Sequence, residues 1–397
     1  MIRILSIIIA IYLLFAFLRI MYQIALGLLY VRSAATRSDD RPLVSVIIPA
    51  WNEEVGVAKT VRSVMANTYK NIEIIVVDDG STDHTADAVR RVVDDYPRRR
   101  HSMIRLISQP NAGKAGALNT GIDAASGRYV LTLDADSYLM PQSIELLEQA
   151  IRHRKFGVAI GEVVVGNTKT LLGMAQHYEY LVGFHFKRAH HVMDSAFIFP
   201  GALTMFRSDI LRQVGEFTNY SSTEDLDISM RIKSLGVKVA YVDRAICVTE
   251  GASTLRGLIN QRTRWRHGFI ECMLARKEFV FGQQKGKYLT FVDLPLSIIG
   301  VIEILLLPIF VAFVVLQLVH LANPLILLLS YLLLPMVVLL LGEIREHDRP
   351  PLRALALMPV LALITNLVEY VALCKALYRT VRRKRTAWTS WQRQGIP

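Results

Sequence analysis

Hydrophobic positions along this chain fall into two regimes. Long apolar runs stand toward both ends, Ile4 to Tyr30 at the start and Leu294 to Val319, Leu325 to Leu341 and Leu352 to Leu373 later. Each is near or above the length that crosses a bilayer as a helix. Between about 42 and 290 the apolar residues are instead parcelled into short runs separated by polar stretches. "LVSVIIPA" (43–50), "NIEIIVVDD" (71–79), "MIRLISQ" (103–109) and "GRYVLTLDAD" (127–136) predict strands; "EVGVAKTVRSVMAN" and "STDHTADAVRRVVDDY" between them predict amphipathic helices. This alternation implies an α/β domain, a parallel sheet wrapped by helices, and the near-continuous apolar strands imply burial on both faces. In "STDHTADAVRR", Ser81 or Thr82 is the expected N-cap, which brings the positive end of a helix close to Asp79. Further on, "FGVAIGEVVVG" and "GVKVAYVDRAICVT" predict two more strands, separated by a helical stretch around Met174 to His191 and by "PGALTMFRSDILRQVGEF".

Composition supports this division. Of 397 residues, 52% are hydrophobic, too many for an ordinary soluble domain, while 20% are charged, too many for a pure membrane bundle. The expected organisation is an N-terminal anchor and linker (1–41), a cytosolic α/β domain (42–250), an amphipathic interfacial region (251–292), C-terminal transmembrane helices (293–378) and a basic tail (379–397). The first run carries Arg19, is longer than the apolar core of a secretory signal and lacks a small-residue cleavage site, so it reads as a retained anchor. Cys247, Cys272 and Cys374 stand far apart, which indicates neither a disulfide framework nor a zinc site and fits a reducing cytosol.

The formal net charge of +12 is concentrated beside the apolar runs, in Arg256 to Lys287 and in "YRTVRRKRTAW". Basic clusters with tryptophans such as Trp388 and Trp391 suit anionic headgroups on the cytoplasmic side, and no nucleic-acid recognition module accompanies the charge. Three full crossings after a cytosolic domain would place the basic tail outside, against the positive-inside tendency. Either the segment from Leu352, with Pro359, Asn366 and Glu369, is re-entrant or interfacial, or the tail departs from the tendency.

Several polar clusters interrupt these patterns where chemistry can occur. "VVDDGST" ends an apolar strand in Asp78 and Asp79 at a glycine turn, at the carboxyl edge of the sheet where open α/β sheets bind ligands. "LDAD" ends another, and strand alternation puts Asp134 and Asp136 on one face, suited to a hard divalent ion that takes phosphate oxygens as its other ligands. "NAGKAGALN" places Lys114 among glycines, either a flexible turn or a partner for a diphosphate. In "STEDLDISMRIKSLG" Glu224 and Asp225 open a helix ending near Gly236; they are either simple caps or, beside a bound pyrophosphate, an acid raised enough in pKa to take a hydroxyl proton. Gln261, Arg264 and Trp265 of "QRTRW" fall on one helical face, offering a neutral hydrogen-bonding group, a phosphate fork and a plate for a sugar ring. Without the acids upstream this would read as an interfacial amphipathic helix.

In this order, "PAWNEE", "VVDDGS", "LDAD", "STED" and "QRTRW" resemble the membrane-embedded family 2 glycosyltransferases with a GT-A fold, which include cellulose, chitin, hyaluronan and poly-N-acetylglucosamine synthases. The resemblance runs from about 42 to 290, and "GKAGALN", "LDAD" and "KALYRTVRRKRTAW" look most like the bacterial poly-β-1,6-N-acetylglucosamine synthases. It implies that Pro49, Ala50, Glu53 and Asp79 frame uridine, with Asp78 the less demanding acid. Lys114 assists at the nucleotide-sugar, Asp134 faces ribose and metal, and Asp136 holds Mg2+ or Mn2+ on the diphosphate. Asp225, beside Glu224, is the implied general base for single inversion to a β-linkage. Gly201, Gln261 and Trp265 meet the acceptor, and Arg264 the leaving diphosphate. Departures from the family's usual pattern are "FIFPGAL", the lead-in "GEFTNYSSTED", and His267 in "RWRHG".

The implied activity is processive elongation of a β-linked polysaccharide from a UDP-sugar, UDP-N-acetylglucosamine foremost, at the inner or plasma membrane by a multi-pass protein. Implied partners are the donor, the growing polysaccharide or a lipid acceptor, the lipid bilayer and a small accessory membrane subunit, with no nucleic acid. The alternatives are single-sugar transfer to a membrane lipid, as in ceramide glucosyltransferases with their related Q-x-x-R-W helix, and a catalytically idle membrane partner that binds nucleotide. Intact Asp134, Asp136, Asp225 and Trp265 argue against the latter.

Overall fold

A computed structural model describes residues 2–31, 40–97, 103–152, 155–277, 279, 288–309, 311–312, 352–384 and 395. The apolar run Leu325 to Leu341, the end of the run to Val319, and Trp388 and Trp391 lie outside the described residues. The strands are β1 (Val44–Ala50), β2 (Ile72–Asp78), β3 (Ile104–Ser108), β4 (Tyr129–Thr132), β5 (Ser137–Leu139), β6 (Phe156–Val165), β7 (Thr204–Arg207) and β8 (Lys238–Thr249). They form one sheet in the order β3-β2-β1-β4-β7-β6-β8-β5. β1 to β4 are mutually parallel where they pair, whereas β7 runs antiparallel to both β4 and β6.

Alternation within the strands explains how both faces are covered. Val46, Ile48, Ile74 and Val76 point to a core shared with α2 (Val57–Met65), α3 (Thr85–Asp94) and α5 (Ser143–Arg152). Ile47, Ile75 and Val77 point the other way, to a core built with α4 (Gly113–Asp123), α7 (Ser208–Val214) and α8 (Glu224–Ser234). Burial of these strand residues is nearly complete, as the apolar runs predict.

Besides β5, a three-residue strand that the sequence pattern did not show, three local features differ from the sequence reading. β7 is an additional four-residue strand inside "PGALTMFRSDILRQVGEF". β4 stops at Thr132, so Asp134 and Asp136 sit in a turn instead of alternating along a strand; the Asp134 carbonyl accepts a hydrogen bond from Ser137 N–H at 3.1 Å. Helix α3 begins at Thr85, with His84 and not Ser81 or Thr82 in the N-cap position. The Ser81 hydroxyl is engaged elsewhere, accepting from Asn52 N–H at 3.0 Å, and Asp83 Oδ1 accepts from Thr85 N–H instead.

Helices at the ends of the chain pack on this domain. α1 (Ile2–Leu28) lies against α6 (Leu171–Val192), and Tyr30 just beyond it donates its hydroxyl to the Tyr241 carbonyl of β8 at 2.9 Å. α9 (Leu255–Ala275) leads, through a short π-helical turn at Leu289–Asp293, to α10 (Leu294–Leu305). Arg19 of α1 pairs with Glu303 of α10 at 2.8 Å. The run from Leu352 is one continuous helix, α11 (Leu352–Val381), with Pro359 inside it. Among the described residues its stretch Val360–Val381 is the one that is long and apolar enough to cross a membrane; Leu14–Leu28 is a shorter apolar stretch.

A buried polar group sits where β6 and β8 meet α6: Tyr241 donates to Glu162, and Arg188, 2% exposed, faces Asp243 at 3.9 Å. Burial pushes the Glu162 carboxyl up to about 7, with the Tyr241 bond and the Arg188 and Lys187 charges partly opposing it. In the unfolded chain the same acid titrates near 4.5, so between these values the folded state holds the extra proton. Stability should therefore fall as pH rises from about 4.5 through about 7. Glu162→Gln should flatten that slope in thermal midpoints recorded against pH in detergent; a variant with the wild-type slope would remove Glu162 as its source.

Candidate active site

The order of strands places the site. β1 pairs with β2 on one side and β4 on the other, so the chain direction of the crossovers reverses between β1 and β4, and a crevice opens beyond their carboxyl ends. Because β7 is antiparallel, the turn entering it, Pro200–Leu203, arrives at that same edge.

On the first side, β1 ends in Pro49 and Ala50, and Asp79 N–H donates to the Ala50 carbonyl at 2.9 Å. The Asp79 carboxylate, 3% exposed, takes Gln109 Nε2 at 2.7 Å and Ala112 N–H at 2.8 Å, both on Oδ1. Ala112 is the N-cap of α4, so the helix end that meets Asp79 is that of α4, not α3 as the sequence suggested. Gly80 has φ +71, and a Cβ there would lie 2.8 Å from Asn111 N, so glycine is what allows the two loops to close on each other. Asp78 serves the turn instead, accepting from Ser81 N–H at 3.1 Å. Glu53 is buried, with its N–H on the Thr85 hydroxyl at 2.8 Å.

The turn with Asp134 and Asp136 is pinned by α2. Thr60 donates its hydroxyl to the Ala135 carbonyl at 2.8 Å, and a Cβ on Gly56 would stand 2.9 Å from that same oxygen. Asp136 accepts from the Ser137 hydroxyl at 2.8 Å. Lys114, projecting from α4, reaches Asp134 Oδ1 at 2.6 Å and Glu224 Oε1 at 3.2 Å, which joins the β1–β4 half of the sheet to the start of α8. Burial pulls the Lys114 ammonium down, but Asp134, Glu224 and Asp225 together hold its pKa above the usual lysine value. Burial, then the Glu224 charge, push Asp225 up to about 6, with Lys114 and Arg264 opposing. Gly201 lies against both groups: a Cβ there would meet Lys114 Nζ at 3.2 Å and Asp225 Oδ2 at 3.4 Å. Neither Glu224 nor Asp225 works as the N-cap, which is Thr223.

Helix α9 roofs the crevice. Gln261, Arg264 and Trp265 all face it, as their spacing requires. Arg264 donates to the Ser222 carbonyl at 3.2 Å, and the buried Gln261 Oε1 has no hydrogen-bond partner among the described residues. α9 comes this close to α8 through Gly268, where any Cβ would collide with Thr223 Oγ1 at 2.2 Å. His267 does not face the crevice; it is 3% exposed, contacts the Ser222 hydroxyl at 3.2 Å and lies near Glu271. Its departure from the usual pattern therefore concerns the loop before α8.

Apart from Asp78, every residue that the sequence singled out for the site lines one cavity of about 850 Å³. It also contains groups that pattern reasoning missed: Arg262 of α9, Glu179, Tyr180 and Lys187 of α6, and Glu369 of α11. The signals available for two of them were an arginine three residues before Trp265 and a carboxylate inside an apolar run. Among the described residues no cluster of three or more His, Cys, Asp or Glu side chains forms a metal cage. Asp134 and Asp136 are a two-carboxylate set, which suits a hard cation that keeps waters and completes its shell with phosphate oxygens. The arrangement thus offers an anion-neutralising lysine, a carboxylate pair for a cation, a buried acid with raised pKa and an aromatic plate within one enclosure.

Residues 45–215 match the family model described as Glycosyl transferase family 2. A poly-β-1,6-N-acetyl-D-glucosamine synthase of Staphylococcus epidermidis is 31% identical over 248 residues, covering 61% of this chain and 59% of that protein. The enzyme of the same name from Staphylococcus aureus strain COL is 30% identical over 275 residues, covering 68% and 65% respectively. The chain therefore spans less than two thirds of the length of these relatives. In three dimensions it is similar to a mannosyltransferase from Pyrobaculum calidifontis in complex with GDP-Man and Mn2+, with a TM-score of 0.65, 21% identity, and coverage of 97% of this chain and 100% of that one. The mixed sheet, the crevice at its carboxyl edge and these likenesses agree: the chain has a mixed α/β fold like that of the archaeal mannosyltransferase, and its residues 45–215 are similar to the family 2 glycosyltransferases.

Proposed function

We propose that this chain is an inverting, processive glycosyltransferase that lengthens a β-linked polysaccharide from a UDP-sugar, UDP-N-acetylglucosamine foremost, and passes the product through its own membrane helices. The observation that carries this reading is the convergence of Asp79, Asp134, Asp136, Asp225 and Trp265, spread over nearly half the sequence, on one cavity. The names of the staphylococcal relatives support the product class. The catalytic domain, 42–250, faces the cytoplasm; 251–292 lies at the interface; and the apolar helices before and after hold it in the inner or plasma membrane.

In this mechanism Pro49, Ala50, Glu53 and Asp79 seat the nucleoside, and Lys114 and Arg264 meet the negative charge of the diphosphate. Mg2+ or Mn2+ held by Asp134 and Asp136 would neutralise charge on the leaving group. Trp265 and Gln261 hold the acceptor sugar, and the close backbone of Gly201 leaves room for its hydroxyl beside Asp225. Asp225 takes the hydroxyl proton as that oxygen bonds to the anomeric carbon and the bond to the diphosphate breaks. One displacement inverts the centre and gives the β-linkage without a covalent intermediate. The raised pKa of Asp225 keeps it basic enough for this proton.

Asp225→Asn should lower UDP release by about 10² to 10⁴-fold while UDP binding persists. Near-normal turnover in that variant would take Asp225 out of the mechanism. Because only the ionised form accepts a proton, kcat/KM should rise as pH climbs through about 6. Glu224→Gln removes a like charge and should move that limb to lower pH; a limb that stays in place would show that Glu224 does not tune the base. A donor screen with linkage analysis tests the sugar and bond assigned here, and a ladder of product lengths tests processivity.

A further inference from the structure

We infer that Glu369, carried by the C-terminal helix α11, is a positioning residue that sets the orientation of Trp265 for a saccharide acceptor. The inference rests on the proposed function, in which Trp265 is the plate against which that sugar stacks. The guanidinium of Arg262 lies over the Trp265 ring, 4.2 Å from its centroid, so the opposite face is the one left for a ligand. Arg262 is itself 4% exposed and needs counter-charge. It finds two carboxylates from outside its own helix: Glu179 of α6 at 2.9 Å and Glu369 of α11 at 3.6 Å.

Glu369 has a second bond. Its Oε2 accepts from Arg266 Nε at 2.6 Å, one helical turn beyond Arg262, so this carboxylate bridges two arginines on the cavity face of α9. Two guanidinium groups and two carboxylates balance, and all four residues line the cavity. α9 and α11 also make the most extensive helix–helix contact among the described residues. Loss of Glu369 would leave a buried guanidinium half-compensated; Arg262 would turn toward Glu179 and the indole would lose its backing. Among the described residues the bonds of Asp79, Lys114 and Asp134 on the donor side go to groups outside this cluster, so the effect should fall on the acceptor.

The test uses the purified full chain in detergent, with a UDP-sugar that the wild type turns over and a β-linked oligosaccharide as acceptor. Glu369→Gln should raise the acceptor KM by about 10-fold or more, with kcat at saturating acceptor and donor KM within about 2-fold of wild type. Glu369→Asp, which keeps the charge, should recover most of the loss and keep the wild-type thermal midpoint, whereas the midpoint of Glu369→Gln should fall because a buried guanidinium loses a counter-charge. An unchanged acceptor KM in Glu369→Gln would overturn the inference. So would donor KM rising and kcat falling along with a raised acceptor KM, the pattern of a residue that only packs helices. A wild type that transfers sugar from no UDP-sugar would instead remove the proposed function, and the acceptor platform with it.

Discussion

The ammonium of Lys114 lies between Asp134 and Glu224, with Asp225 close enough to feel its charge, and the site depends on that contact. Four carboxylates, Asp134, Asp136, Glu224 and Asp225, face one enclosure, where like charges at short range repel strongly. A single cation reaching from α4 draws two of them to a common centre. Since α4 belongs to the half of the sheet that holds Asp79, and α8 to the other half, the same ion pair fixes the distance between the two halves. Gly201 keeps the contact compact, because a Cβ there would press on Lys114 Nζ at 3.2 Å and touch Asp225 Oδ2 at 3.4 Å.

Around that centre, close approaches do what hydrogen bonds alone could not. Gly56 lets α2 touch the Asp134 turn, and Gly268 lets α9 touch Thr223 at the head of α8. Both glycines stand where a methyl group would force neighbouring segments apart. Reversal of β7 completes the arrangement. A parallel strand in that slot would deliver the Pro200–Leu203 turn to the far edge of the sheet, and the cavity would lose one wall.

Much of the fold could be read from pattern because β1, β2, β4 and β6 are short apolar runs buried on both faces, while β3 at the sheet edge and β8 keep an apolar run interrupted by exposed polar positions. β7 escaped because "TMFR" is four residues long and is a strand only by virtue of β4 and β6 beside it. The end of β4 escaped because alternation does not mark where a strand gives way to a turn. Ser81 and Thr82 made a plausible cap, but Asn52 from another loop engages both of them. In the site, acids at strand ends were conspicuous individually, and the spacing of Gln261, Arg264 and Trp265 set their common face. Glu179 and Glu369 were not, since their role depends on how α6 and α11 pack on α9. Glu369 drew notice only as a blemish in an apolar run, and the two arginines facing it account for the charge.

Arg19 and Glu303 meet at 2.8 Å across 284 residues of sequence. A ribosome adding about 5 to 20 residues per second makes the first helix on the order of tens of seconds before its counter-charge exists. During that interval the guanidinium lacks this partner, so the contact between α1 and α10 can close only once the α/β domain between them has been made. The pair thereby works as a clasp closed late in biogenesis, ordering the birth of the protein as well as its finished form.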